Sequence, residues 1–421
     1  LIQLLNIAGT GPIFGAVLGA CFGPVAFLWI TFGGIFMGAM HDYLSGMMLV
    51  RNDGLSIPEV VGRYLGEGMR HFMRIFSVLL LVLVGAVFLL SPAQLLANMV
   101  PAISCPIWVW LILAYYFVAT LLPIDKIIGR IYPLFGVALV AMALGLLGAV
   151  IVGDYRIPEL TTLHNFQLDP ARVPIVPTLF ITIACGAISG FHATQSPLMA
   201  RCVGNERACR SVFYGAMISE SIIALIWAAV AMAFFGGAGE LSAALGEHGG
   251  SAAWAVDTIS NGMLGVVGGV LALLGVVAAP ITSGDTAFRS ARLIIADMLH
   301  LEQRSKLKRF YICIPLFAVG YWITQVDFDV VWRYFAWTNQ TLATIVLWAI
   351  VVFLQRRRSN RWVGLLPALF MTFVCSSFLF VSDQFLGMEN RTAAYACGVA
   401  VTVAVTAGML LKLKHDAKSN S

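Results

Sequence analysis

The sequence predicts an all-α polytopic membrane protein with an inverted repeat of five plus five helices and two peripheral C-terminal helices. The first observation is composition, because 60% of the 421 residues are hydrophobic and 11% are charged. A soluble domain has roughly 45–50% apolar and about 25% charged residues. The second observation is that two apolar helices, each at the start of one repeat, are interrupted by glycine, proline and small polar residues.

Apolar runs long enough to cross a membrane define the order of the helices. A spanning helix needs about 20 predominantly apolar residues. By this measure the sequence has twelve spans, at 1–21, 23–50, 75–99, 107–123, 131–153, 175–200, 208–236, 263–290, 310–325, 330–355, 362–386 and 392–413.

Basic residues predict the orientation of these spans, because Lys and Arg are in excess in cytoplasmic loops. When the 51–74 loop is placed inside, all but four of the 26 basic residues fall on the cytoplasmic side. The four outside are Arg156, Arg172, Arg333 and Arg391. The C-terminus is then cytoplasmic.

The two interrupted helices are the first and the sixth spans. The first is broken at Gly9-Thr10-Gly11-Pro12, and the second is broken across 186–197. Irregular backbone at membrane depth is tolerated only where it is buried in protein or lines a cavity. The two breaks are therefore expected to face each other across a solvent-accessible chamber. The residues predicted to bind substrate there are Asn6, Gly9, Thr10, Gly11, Ser189, His192, Thr194 and Gln195.

The breaks also define the domain organisation. One opens a block of five spans at 1–153, the other opens a second block at 175–355, and 356–421 holds two peripheral helices with a short tail. Five crossings are an odd number, so the two blocks have opposite orientations. Inverted repeats that each begin with a broken helix predict a LeuT-like fold.

Acidic residues inside spans mark candidate coupling sites, because an ionisable group in the bilayer is costly. Asp42 follows His41 in the second span, and Glu220 occupies a comparable place in the seventh. His41, Asp42 and Glu220 are predicted to bind a coupling proton. The alternative is that the two acids are buried residues whose hydrogen bonds come from neighbouring polar side chains. His192 is predicted to contact substrate or proton, and its alternative is a hydrogen-bonded core residue.

The eighth and tenth spans carry further polar groups. Asp285 lies four residues before Arg289, which favours an ion pair along one helix face. In LeuT-like folds, carbonyls such as those of Ala8 or Gly9 and hydroxyls of the eighth helix form a cation site. Here those hydroxyls are Thr282, Ser283 and Thr286, with Asp285 beside them. In the tenth span, Asn339 and Gln340 are as consistent with hydrogen bonds between helices as with substrate contact.

Several functional classes are disfavoured. The eight cysteines are scattered singly, which indicates apolar packing rather than a metal site or a disulfide framework. No metalloprotease, hydrolase or nucleotide-binding motif is present, so neither an enzyme nor a cofactor is expected beyond a coupling H⁺ or Na⁺. The basic residues lie in short loops and predict no nucleic-acid partner. A nutrient sensor is a remote alternative, and the oligomeric state is open.

Four segments identify a family resemblance: AGTGPIFGAVLGACFGPVAFLWI, GAMHDYLSGMMLVRNDGLSIPEVVGRYLG, GAISGFHATQSPLMAR and PITSGDTAFRSAR. Over most of residues 1–350 the sequence resembles the carbon starvation protein A (CstA) family of bacterial inner-membrane transporters. The resemblance implies uptake of small nutrients during carbon limitation, either pyruvate with protons or peptides. It also implies a further helix before residue 1.

The breaks themselves favour one substrate class. Neither broken segment contains Asp or Glu to meet the ammonium group of a peptide, whereas helix N-termini attract carboxylates. A small carboxylate such as pyruvate is therefore the first expectation, and a peptide is the second.

Overall fold

The computed structural model describes residues 2–121, 125–302 and 306–419, and these residues form helices and connecting loops without a strand. The α-helices of these ranges are α1 (Ile2–Ile7), α2 (Gly11–Ala20), α3 (Val25–Leu28), α4 (Ala39–Val50), α5 (Ile57–Leu65), α6 (Glu67–Met99), α7 (Cys105–Leu121), α8 (Asp125–Val152), α9 (Ile175–Thr182), α10 (Gly190–Ala200), α11 (Gly215–Phe235), α12 (Ala238–Glu247), α13 (Ala252–Ala272), α14 (Ala278–Met298), α15 (Lys306–Ile323), α16 (Phe328–Arg356), α17 (Trp362–Val381) and α18 (Arg391–Ser419). Wider π-type turns at Trp29–Gly38, Arg210–Tyr214 and Leu273–Val277 continue into α4, α11 and α14, and Glu206–Ala208 forms one 3₁₀ turn.

The order of the helices follows the predicted order of the spans. Within the described ranges, eight continuous helices are long and apolar enough to cross a membrane. The other predicted spans correspond to the broken pairs α1–α2 and α9–α10 and to the shorter α7 and α15. The protein is therefore an all-helical polytopic membrane protein. The short helices α5 and α12 lie in the segments that connect predicted spans, and they were not predicted.

The first broken helix is interrupted one residue earlier than predicted. Here α1 ends at Ile7 and α2 begins at Gly11, so the break comprises residues 8–10. Pro12 belongs to the first turn of α2, where its missing N–H has no helical partner to lose. The prediction that Gly11 and Pro12 lie in the break is therefore wrong.

The second break is also earlier and shorter than predicted. Here α9 ends at Thr182 and α10 begins at Gly190, which leaves residues 183–189 outside helix. The prediction that the break extends across 186–197 is wrong. Pro197 does not end the helix but lies inside α10, because proline is tolerated within membrane helices. His192, Thr194 and Gln195 are therefore helical residues beside the break. Ser189 has an extended backbone before the helix resumes, with φ −147° and ψ 127°.

A glycine face on α2 brings the two broken helices together. A Cβ added at Gly11 would lie 2.4 Å from the Cys185 sulfur, and one at Gly19 would lie 2.3 Å from Ile183 Cγ1. Gly15 lies between them and faces the Thr182 carbonyl, 3.1 Å from an added Cβ. Small residues at this spacing allow close approach of helices in membranes. The helix that follows the first break therefore packs directly against the second break, whose residues are buried rather than lining the expected chamber.

The last two helices are peripheral, as predicted. The helix α17 packs against α16 and α9, whereas α18 packs mainly against α17. Large apolar side chains of α18, including Val399, Val403 and Leu411, are exposed. This exposure is that of a helix at the edge of the bundle, with one side available to lipid.

Candidate functional site

Four buried ionisable side chains form a continuous chain of contacts. The Asp42 carboxylate lies between two imidazoles, with Oδ1 2.8 Å from His41 Nδ1 and Oδ2 2.8 Å from His192 Nδ1. The opposite ring nitrogen of His192, Nε2, is 3.3 Å from Oε2 of Glu220. None of the four residues is more than 1% exposed. We call this set, His41–Asp42–His192–Glu220, the ionisable chain.

Three separate helices supply the ionisable chain. Asp42 lies in α4 and Glu220 in α11, the second helices of the two predicted repeats. His192 is the third residue of α10, directly after the second break. The acid from each predicted repeat thus contacts the same histidine on a broken helix. The sequence predicts all four residues individually but does not predict that they form one cluster.

The ionisable chain has the groups that proton exchange requires. A buried charge is costly unless it is paired, so two ionised carboxylates here require positive imidazoles or bound protons. Four atoms of this set have no hydrogen-bond partner within the described residues: Nε2 of His41, Nε2 of His192 and both carboxylate oxygens of Glu220. Glu220 Oε2 approaches His192 without hydrogen-bond geometry. The ionisable chain can therefore gain or lose a proton, and each such change alters the charge between His192 of α10 and the two acids that contact it.

Polar residues of the first broken helix bind neighbouring helices. Asn6 Nδ2 donates to the Gln195 carbonyl at 3.2 Å, and Thr10 Oγ1 lies 3.2 Å from Ser91 Oγ of α6. Gln3, which the sequence analysis missed, donates to Ser196 Oγ at 3.2 Å. Its signal was a polar side chain one turn before Asn6 in an apolar helix. The bonds of Gln3 and Asn6 hold α1 against α10, and the contact of Thr10 joins the first break to α6.

Thr194 and Gln195 are also buried beside these contacts. Thr194 Oγ1 donates to the Phe191 carbonyl at 2.6 Å, and Gln195 Nε2 donates to Thr194 Oγ1 at 3.3 Å. Substrate binding by the polar residues of both broken helices stays a prediction. In the present arrangement their hydrogen bonds are made within the protein.

Asn339 and Gln340 of α16 bind the second break from outside. Asn339 Oδ1 accepts from Phe191 N at 2.7 Å and from Ser189 Oγ at 3.2 Å. Gln340 Nε2 donates to the carbonyls of Phe180 and Ala184, at 3.1 and 3.4 Å. The two amides thus satisfy backbone groups that the break leaves without helical partners. Hydrogen bonding between helices is what these contacts show, and substrate contact by either amide stays a prediction.

The eighth span contains the predicted ion pair. Asp285 Oδ2 lies 2.9 Å from Arg289 Nη2. Thr282 and Thr286 donate to the carbonyls of Ala279 and Ser283, at 2.7 and 2.8 Å. Ser283 Oγ is buried without a partner among the described residues. A cation site formed by these groups and the carbonyls of Ala8 and Gly9 stays a prediction.

Similar solved structures share the architecture. The chain matches a manganese transporter of Eremococcus coleocola with a TM-score of 0.57 and 14% identity, covering 100% of this chain and 94% of that one. It also matches MhsT, in complex with L-phenylalanine, with a TM-score of 0.58 and 13% identity, covering 96% and 97%. Both have the LeuT fold, and at these identities the likeness shows the fold alone. The predicted LeuT-like architecture is confirmed.

Relatives by sequence extend the comparison. An uncharacterized membrane protein of Haemophilus influenzae is 44% identical over 286 residues, covering 56% of this chain and 77% of that protein. A protein named peptide transporter CstA, from Helicobacter pylori, is 26% identical, covering 52% of this chain and 41% of its own length. The pyruvate/proton symporter BtsT of Escherichia coli is 26% identical, covering 52% and 39%.

The family profile matches more than half of the sequence. The profile described as carbon starvation protein CstA matches residues 3–105 and 92–267. These ranges include both broken helices and every member of the ionisable chain. The protein is a member of the carbon starvation protein CstA family.

Proposed function

We propose that the protein is a secondary active transporter that imports a small carboxylate, pyruvate-like in size, together with protons by alternating access. The ionisable chain carries this proposal. It consists of two carboxylates and two imidazoles buried beside the second break, and proton binding there would change the charge between α4, α10 and α11. Ionisable residues inside membrane spans mark ion and proton pathways by default.

The comparisons support transport rather than catalysis. The relatives with functional names are transporters, of peptides or of pyruvate with protons. The chain covers less than half the length of these two proteins. Their substrates are therefore carried here only as part of the proposal.

The direct packing of α2 against the second break defines the contacts that a substrate has to displace. A substrate that enters between α2 and the second break separates the Gly11–Cys185 contact and replaces bonds such as Asn6–Gln195. The N-terminal N–H groups of α2 and α10 then face the carboxylate, which helix N-termini favour. An anion in a buried site is costly, so a proton bound to the ionisable chain offsets its charge. Anion and proton are therefore moved together.

Sodium is the alternative coupling ion. Its site would combine the carbonyls of Ala8 or Gly9 with Thr282, Ser283 and Thr286 of α14. The buried Ser283 hydroxyl without a partner among the described residues supports this candidate. We prefer a proton to sodium as the coupling ion because three helices bring four ionisable side chains into contact.

The proposed location is the bacterial inner membrane with the C-terminus in the cytoplasm. Basic residues from distant parts of the sequence meet at one end of the bundle, which supports this orientation. Arg51 Nε binds Glu206 at 2.8 Å, Arg201 Nε donates to the Gly54 carbonyl at 3.1 Å, and Arg356 Nη1 donates to the Arg63 carbonyl at 3.1 Å. We retain 1–153 and 175–355 as the two repeats and 356–421 as the peripheral unit.

Peptide transport on the same scaffold is the second candidate. The name of the Helicobacter relative favours it. Neither broken segment contains Asp or Glu, and the acids beside the second break, Asp42 and Glu220, already contact His192, which disfavours a peptide ammonium group. A nutrient sensor stays a remote third candidate.

Uptake by reconstituted proteoliposomes separates these candidates. Labelled pyruvate and a labelled dipeptide are each supplied under an imposed pH gradient and, separately, under a sodium gradient. We expect accumulation of pyruvate that requires the pH gradient. Accumulation of the dipeptide instead would favour the second candidate, and accumulation of neither would contradict transport of both.

A further inference from the structure

A cavity lies apart from the residues of the ionisable chain. It has a volume of about 380 Å³ and lies between α2, α9, α12, α16 and the loop that precedes α9. Small-molecule sites are typically roughly 300–1,000 Å³. Its charged lining includes Asp329 and Arg333 of α16 and Asp169 of the loop. We call this cavity the vestibule.

Arg333 is held at the vestibule by weak partners. Its Nη2 lies 2.9 Å from Oδ2 of Asp329, one helical turn earlier, and its Nη1 donates to Gln384 Oε1 at 3.3 Å. The side chain of Asp329 is 49% exposed and that of Arg333 is 29% exposed. An ion pair this exposed is weak. A ligand carboxylate can therefore replace Asp329 as the partner of Arg333.

The side chains of the other arginines nearby have their partners outside the lining of the vestibule. Arg172 pairs with Asp383, and this hydrogen bond raises the pKa of Arg172 above its ordinary value. Arg391 donates to the carbonyls of Val381, at 2.6 Å, and Arg172, at 3.2 Å. Asp169 accepts from the Arg172 backbone N–H at 3.0 Å. Three of the four arginines predicted to lie outside thus gather around the loop after α17, and Arg333 is the one of them that lines the vestibule.

Trp332 lies between the vestibule and α2, near the end of α9. The side chain is 2% exposed and lines the cavity. Its ring centroid is 6.4 Å from that of Phe14, and its Cζ2 would lie 3.4 Å from a Cβ added at Gly15. The indole Nε1 has no hydrogen-bond partner among the described residues. The ring therefore covers α2 where that helix meets the end of α9.

We propose that the vestibule is an entry site for the carboxylate of the substrate, with Arg333 as its ligand and Trp332 as the lid over the breaks. This inference rests on the proposed function. An arginine binds a carboxylate with two parallel hydrogen bonds, so the incoming group displaces Asp329. Movement of the Trp332 ring then opens the path and offers its N–H to the same carboxylate. Pyruvate and a peptide both carry this group.

Two substitutions with opposite expected effects test the entry site. Arg333→Gln removes the ligand and should raise the KM for uptake about tenfold with kcat unchanged, the loss expected for a charge-assisted hydrogen bond. Asp329→Asn removes the competitor and should lower KM about twofold, since an exposed ion pair is weak. If the pair were only structural, both variants would impair the protein in the same direction.

Direct binding distinguishes failure of the entry site from failure of the proposed function. Binding of labelled pyruvate and of a labelled dipeptide to the purified protein is measured for wild type and both variants, beside the uptake assay. We expect weaker binding of the transported compound to Arg333→Gln and tighter binding to Asp329→Asn. Equal binding and equal KM in all three proteins would overturn the entry site while leaving transport intact. Absence of both binding and uptake in the wild type would overturn both.

Discussion

Asp42 is the residue at which the two halves of the protein converge. It accepts hydrogen bonds from its neighbour His41 and from His192, 150 positions later. The sequence predicts each partner separately, because an acid or a histidine in an apolar span has few structural reasons to be there. It does not predict their contact, because the contact depends on how α4, α10 and α11 pack.

Replacing Asp42 with Asn should flatten the pH dependence of uptake. Wild-type uptake should rise as the external pH falls, because a proton must bind before the chain can move an anion. Asn is neutral, as the protonated carboxyl group is, and takes up no proton, so this rise should be lost while the side chain keeps nearly the same shape and pyruvate can still move. The measurement is the initial rate of pyruvate uptake from pH 5 to pH 8. An unchanged profile would place the coupling proton elsewhere.

Replacing His192 with Ala should reduce uptake about tenfold or more, because it disconnects Asp42 from Glu220. Insertion into the membrane should be intact, since the surrounding apolar contacts of α10 are kept. The matched control is His71→Ala, which removes an exposed histidine of α6. Uptake rate normalised to protein in the membrane is the readout. Wild-type uptake by the His192 variant would reduce His192 to a packing residue.

At the scale of elements, the breaks were predicted in the correct helices but at displaced positions. Glycine and proline mark both interruptions, yet Pro197 continues within α10 while Gly190 begins it. What fixes the second break is its contacts with other helices, such as the bonds from Asn339 and Gln340. The same amides explain why substrate contact and helix contact could not be separated from sequence.

Gly190 provides the corresponding test of packing. An added Cβ would lie 2.4 Å from the Asn339 carbonyl and 2.7 Å from the Ala343 N–H, both backbone groups. Gly190→Ala should therefore destabilise the protein by about 1–3 kcal/mol, as overpacking does. Gly148→Ala in α8, where an added Cβ meets nothing within 4 Å, should stabilise it by up to about 1 kcal/mol.

Thermal unfolding of both glycine variants in the same detergent compares these two positions. A lower Tm for Gly190→Ala and an unchanged or higher Tm for Gly148→Ala is expected. Equal effects of both substitutions would show that α10 and α16 do not pack as closely as described.

At the scale of the whole molecule, the two ends of the bundle differ. At one end, Arg51 pairs with Glu206 and Arg201 donates to the Gly54 carbonyl. The vestibule is lined instead by Arg333 of α16 and by residues of α2, α9 and α12. Hydropathy predicts this architecture because membrane spans are long and their breaks are rare. It does not predict the loop helices α5 and α12, which are too short to stand out, or the closure between the breaks.

Proton movement accompanying pyruvate tests the central claim most directly. Proteoliposomes that enclose a pH-sensitive dye receive external pyruvate without an imposed gradient, and the internal pH is recorded for wild type and for Asp42→Asn. The ionisable chain predicts internal acidification with the wild type and its loss in the variant, while exchange of labelled pyruvate across the membrane persists. Acidification at the same rate in both proteins would contradict the assignment of the driving proton to His41–Asp42–His192–Glu220.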